Sequence, residues 1–124
     1  MQQHSTEVVN NCHKVPQKNF KKTLASVDEL VVSLKSISAT IKAINPEAKL
    51  ILTVSPVRHI KDGFVENTQS KAHLISAVHK TISATNNTAY FPSYEIMMDE
   101  LRDYRFYSED MLHPSQIAVN YIWE

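Results

Sequence analysis

Lys49-Leu50-Ile51-Leu52-Thr53-Val54, closed by Ser55-Pro56, is the stretch that decides the fold. Its apolar run is too short for a buried helix and rich in β-branched residues. It does not alternate with polar residues, which is the pattern of a central parallel strand covered on both faces. A parallel partner requires a crossover, normally a helix, so helices are expected on both sides of this strand. Upstream, Ser26 with Glu29 forms a capping box. Leu30, Leu34, Ile37, Ile41 and Ile44 then recur at spacings of four and three until Asn45-Pro46 stops the helix. Downstream, a loop from Val57 to Glu66 carries Arg58, His59 and the turn pair Asp62-Gly63. Asn67 is expected to cap a second helix, with Leu74, Ile75, Val78 and Ile82 facing the core and Asn86-Asn87 ending it. Ala89-Tyr90-Phe91 reads as a short final strand and Glu7 to Val9 as a short first one. Pro92 ends the final strand, and Ser93, Ile96, Met97 and Leu101 suggest a brief helix. A last helix is expected from Pro114 toward Glu124, burying Ile117, Ala118, Tyr121 and Ile122. Strands alternating with helices place the chain in the α/β class with a parallel sheet.

Composition removes several kinds of function. The 124 residues suffice for one domain at most. Thirteen Lys and Arg balance thirteen Asp and Glu, so no excess charge calls for nucleic acid or an anionic membrane. The single glycine, Gly63, is at odds with glycine-rich loops that cradle phosphates or dinucleotides, and no cofactor is expected. One cysteine, Cys12, allows no internal disulfide and fits a reducing compartment. Gln2-Gln3-His4-Ser5-Thr6 after Met1 does not read as a signal peptide, and no run approaches the roughly 20 apolar residues of a membrane span. A soluble, cytoplasmic protein is the expectation.

Sites in open parallel sheets form beyond the carboxyl ends of the strands. That rule gathers Asn11, then Ser55, Arg58 and His59, then Asp110 and His113, at one edge. In Ser108-Glu109-Asp110-Met111-Leu112-His113-Pro114-Ser115, an Asp three residues before a His in a loop can turn back. Its carboxylate then accepts the Nδ1 proton, fixing the tautomer and leaving Nε2 as a base. On spacing alone the turn aspartate beside a helix cap is the preferred reading, since Asp-x-x-His often arises by accident. Ser55 stands at a strand end, but Pro56 removes the backbone N–H that helps form an oxyanion hole beside a nucleophile, so Ser55 is expected in a turn. Cys12 and His13 are neighbours on extended chain and point to opposite faces. His73 and His79 lie about 240 degrees apart on a helix, and nothing among the six histidines has zinc-ligand spacing; no metal is expected. Arg58, Arg102 and Arg105 can bind a carboxylate or an acyl substrate group, but ion pairs with Asp99, Glu100 or Asp103 are their expected use.

Five segments together resemble the GSCFA domain, which is itself similar to the SGNH hydrolases: Asn11-Cys12-His13-Lys14, Thr53-Val54-Ser55-Pro56-Val57-Arg58-His59, Tyr90-Phe91-Pro92-Ser93-Tyr94-Glu95, Glu100-Leu101-Arg102-Asp103-Tyr104-Arg105-Phe106-Tyr107 and Asp110-Met111-Leu112-His113-Pro114-Ser115. The resemblance spans about Val8 to Glu124. It implies a three-layer α/β/α, flavodoxin-like domain, here its C-terminal part with about three strands and four helices, which would hydrolyse or transfer an acyl ester of a small molecule or a carbohydrate. Asp110 and His113 match the Asp-x-x-His block of SGNH relatives residue by residue. Asn11 falls roughly where their oxyanion asparagine lies, without the Gly-x-Asn-Asp pattern around it, and Ser55, Arg58 and His59 are candidates for substrate binding. The departure is the Gly-Ser-Cys-Phe-Ala segment, which is absent together with its serine; the implied nucleophile lies outside this chain. Two other readings stand beside this one. The chain can be a non-catalytic binding module, pairing as a homo-oligomer through an exposed sheet edge, or a gene fragment without an independent role.

Overall fold

A computed structural model describes residues 21–124. The strand expected at Glu7 to Val9 lies outside the described residues, as do Asn11, Cys12 and His13. Within them the chain is mixed α/β around a parallel two-stranded sheet, β1 (Leu50–Thr53) beside β2 (Thr88–Phe91), with Leu50 opposite Thr88 and Thr53 opposite Phe91. The crossover between the strands is a helix, as parallel pairing demands. Four helices accompany the sheet: α1 (Val27–Ile44), α2 (Phe64–Ile82), the short α3 (Ser93–Glu95) and α4 (Gln116–Trp123).

The start of α1 follows its capping box. Ser26 Oγ accepts from the Glu29 amide at 3.3 Å, and the Glu29 carboxylate accepts from the Ser26 amide at 2.8 Å. Asn45 ends the helix, its amide donating to the Ile41 carbonyl at 2.8 Å. α1 packs on α2 yet buries no residue completely, and Ile44 at the end of its apolar stripe is 81% exposed. The expected cap of α2 is displaced: the helix begins at Phe64 behind Gly63, whose φ of 111° is open to glycine and costly for other residues. Asn67 instead sits one turn inside, its Oδ1 accepting from the His59 amide at 2.8 Å. α2 also ends earlier than expected, at Ile82, and Asn87 makes the left-handed turn into β2 at φ 63°.

The cover on both faces read from Lys49 to Val54 is corrected. β1 alternates, with Leu50 and Leu52 partly covered and Ile51 67% exposed. Tyr90 meets His79 of α2 edge-on at 4.8 Å, while its neighbour Phe91 stacks on Trp123 of α4 at 5.4 Å. Successive strand residues point to opposite faces, so helices touch both. Because α4 reaches only the Phe91 end, Ile51 is left open.

The main core lies between α4 and the segment after β2. Past Glu95 the chain widens into a π-helical turn, Ile96–Glu100, closed by a bond from the Leu101 amide to the Ile96 carbonyl at 3.0 Å. Met97 and Leu101 from this segment pack with Ala118 and Ile122 of α4, all buried, against partly buried Phe91, Ile96, Met98, Phe106 and Tyr107. α4 starts two residues later than Pro114, because Ser115 caps it by accepting from the Ala118 amide. Its buried stripe is narrower than expected: Ala118 and Ile122 are inside, while Ile117 is 71% exposed and Tyr121 is exposed with its hydroxyl on Glu100 at 2.7 Å.

Candidate active site

The loop between the core segment and α4 is a narrow two-legged turn. At its base Tyr107 and Pro114 form an antiparallel bridge. The Ser115 amide donates to the Phe106 carbonyl at 2.7 Å, and the Ser108 amide to the His113 carbonyl at 2.8 Å. At its tip Asp110 starts an Asx-type turn, Oδ1 accepting from the amides of Leu112 at 2.9 Å and His113 at 3.0 Å. The turn folds Met111 into the left-handed region, φ 59°. The second carboxylate oxygen, Oδ2, is thereby aimed at His113 Nδ1, 2.6 Å away.

This contact assigns the imidazole. An ionised carboxylate only accepts, so Nδ1 carries a proton, and in the neutral ring the lone pair is then on Nε2. The carboxyl of Asp110 is pulled from its ordinary 3.8 to about 2, first by the two backbone N–H groups of His113 and Leu112 and then by the imidazole. It is therefore ionised across the neutral range. Asp110 and His113 are 45% and 59% exposed at their side chains, so the pair is open to solvent and gains little from the bond energetically.

Arg58 ties this loop to the end of β1. Its backbone amide donates to the Leu112 carbonyl at 3.0 Å and its Nη1 to the Met111 carbonyl at 2.8 Å. The guanidinium also lies over the rings of Tyr107 and Tyr104, 5.5 and 5.7 Å from their centroids. Arg58 thus holds the dyad loop. Ser55 is exposed and accepts from the Val57 amide at 3.2 Å through its Oγ, a turn bond. The side chain of His59 is exposed, its backbone amide held by Asn67. The carboxyl ends of β1 and β2 therefore bring Arg58, Asp110 and His113 into one connected unit; Asn11 lies outside the described residues. Arg102 pairs with Asp99 at 3.0 Å and Arg105 with Asp103 at 3.9 Å, all exposed. Among the described residues no three His, Cys, Asp or Glu side chains cluster as metal ligands do, and no helix is long and apolar enough to cross a membrane.

The GSCFA family model matches residues 1–124. The chain belongs to the GSCFA family. No curated protein matches it, and no solved structure does. Beyond the dyad, the GSCFA chain carries a residue that the motif reading passed over. Lys71 of α2 is 4% exposed, with Nζ donating to the Ser55 carbonyl at 2.6 Å. It lies on the same stripe as Leu74, Ile75 and Val78, and a lysine on an apolar stripe was the signal available.

Proposed function

We propose that these residues form the C-terminal part of a three-layer α/β/α, SGNH-like domain that hydrolyses or transfers acyl esters of small molecules or carbohydrates. The observation that carries this reading is the 2.6 Å contact between Asp110 Oδ2 and His113 Nδ1 in the loop that follows the last strand, in a member of the GSCFA family. In the proposed reaction Nε2 of His113 takes the proton of a serine hydroxyl as its oxygen attacks the acyl carbonyl. The imidazolium, held by Asp110, then protonates the departing alkoxide. Asn11 donates its side-chain amide to the oxyanion. The serine is outside these 124 residues, in the Gly-Ser-Cys-Phe-Ala segment typical of the family.

Hydrolysis of p-nitrophenyl acetate tests this. The 124-residue chain and its His113→Ala variant are expected to react alike, at background rate. A protein carrying the Gly-Ser-Cys-Phe-Ala segment ahead of these residues is expected to be active, and to lose about a hundredfold or more in kcat on His113→Ala. Activity of that longer protein that survives His113→Ala defeats the reading.

A second reading, a binding module that pairs with a second copy of itself, is favoured by Ile51, 67% exposed on the sheet. Light scattering at rising concentration decides it: a strict monomer excludes this reading, and a dimer abolished by Ile51→Lys supports it.

A further inference from the structure

Between the β1–α2 connection, the first turns of α2, and Tyr107 lies a pocket of about 160 Å³. Among the described residues its charged lining is cationic, Arg58 and Lys71, with no carboxylate; the rest of the wall includes Phe64, Tyr94, Met98 and Tyr107. Lys71 is the unusual member. An ammonium group has three donors; among the described residues Lys71 makes one bond, to a neutral carbonyl, that of Ser55. Among the described residues none of the ion pairs includes it. A cation withdrawn from water without a counter-charge is costly, and burial alone already lowers the affinity of this amine for its proton.

The neighbouring polar side chains on α2 are neutral and already hold backbone partners. Asn67 Oδ1 takes the His59 amide, and the Thr68 hydroxyl donates to the Phe64 carbonyl. Glu95, the carboxylate next to Tyr94, accepts from Tyr90. What the pocket lacks is one negative charge against the ammonium, with an apolar body to cover the aromatic and methionine walls.

We propose that this pocket binds a short-chain monocarboxylate, its carboxylate on Lys71 and Arg58 and its hydrocarbon against Phe64, Tyr94 and Met98. The volume suits such a guest, since an engineered cavity of about 150 Å³ holds benzene. The mixture of two cations with apolar walls selects a carboxylate over a phosphate, which would need several more donors to replace its water. The site stands apart from the proposed ester chemistry, because it requires neither a serine nor a working His113. Arg58 nevertheless belongs to both places, so a bound carboxylate borders the residue that holds the dyad loop.

Backbone amide shifts of the full chain, titrated at constant ionic strength with butyrate, butyramide and inorganic phosphate, test the proposal. Butyrate is expected to give saturable shifts at Lys71, Tyr94 and Tyr107, butyramide none, and Lys71→Gln a weakening of about tenfold or more. The charged and neutral pair is compared on the unaltered chain, so the test holds even if Lys71→Gln does not fold. Shifts that never saturate, equal binding of butyramide, tighter binding of phosphate, or a folded Lys71→Gln chain that binds butyrate as before would each overturn it.

Discussion

The dyad loop and the core beneath it are ordered by opposite means. Met97, Leu101, Ala118 and Ile122 are held by removal from water, with relative exposures of 8% or less. A few residues away, Asp110 and His113 are open to solvent and are held by directional bonds: two to Oδ1 of Asp110, the Tyr107–Pro114 bridge, and the two from Arg58. Burial supplies most of the stability but no fixed direction for an exposed side chain. Hydrogen bonds supply direction and, at exposed positions, little net free energy. The stability of this protein and the geometry of its candidate site are therefore separable quantities.

The largest expected effect comes from the core. Met97→Ala removes the largest fully buried apolar side chain among the described residues and should cost about 3 kcal/mol. Urea unfolding is expected to show a lower midpoint at unchanged slope, with the Asp110–His113 proton still bridged in whatever fraction remains folded. If the loop signals vanish before the core unfolds, the separation fails.

Arg58→Ala probes the other side of the comparison. It deletes the bond to Met111 and the cover over Tyr104 and Tyr107, a loss of about 1–2 kcal/mol. Hydrogen exchange should speed up at Leu112 and His113 far more than at Ala118. Uniform acceleration across loop and core would mean that the guanidinium supports the whole fold rather than the loop.

How much of this was legible follows the range of each interaction. The capping box, the two described strands and the stop at Asn45 depend on residues within a few positions, and the sequence pattern shows them. So does the placing of Asp110 and His113 in a loop before Pro114, since the Asx-type turn spans three residues. The stripe on α1 tells which face seeks cover but not whether anything supplies it, hence the half-covered Ile37 and the open Ile44. The open face at Ile51 has the same origin: a continuous apolar run announces two buried faces, and only the partner elements decide. Arg58 was legible as a residue beyond a strand end. Its role was not, because its acceptor lies 53 positions away. Lys71 shows the same limit, as its contact with Ser55 arises only when α2 folds back toward the turn that follows β1.

The smallest effect is local and depends on pH. In the folded chain the Asp110 carboxyl titrates at about 2 rather than at the ordinary 3.8. A depressed carboxyl favours the folded loop above its ordinary value, and that contribution is lost as pH falls through the folded one. The loop is therefore expected to be unaffected by pH down to about 4 and to loosen between about 4 and about 2. Amide shifts of Leu112 and His113 should report a single step with its midpoint near the lower value, while those of Met97 and Ala118 stay still over the same step. Asp110→Asn keeps an oxygen for the two amides but removes the charge, so the step should disappear while the turn persists. The His113 ring should then switch to the Nε2–H tautomer, because with the amide oxygen held by the two backbone N–H groups the side-chain NH2 takes the place of Oδ2 and can only donate to Nδ1. A titration step at the ordinary carboxylate value, or one shared by the core amides, would show that the loop bonds are too weak to set the geometry. The direction of His113 would then have to come from the packing of its neighbours.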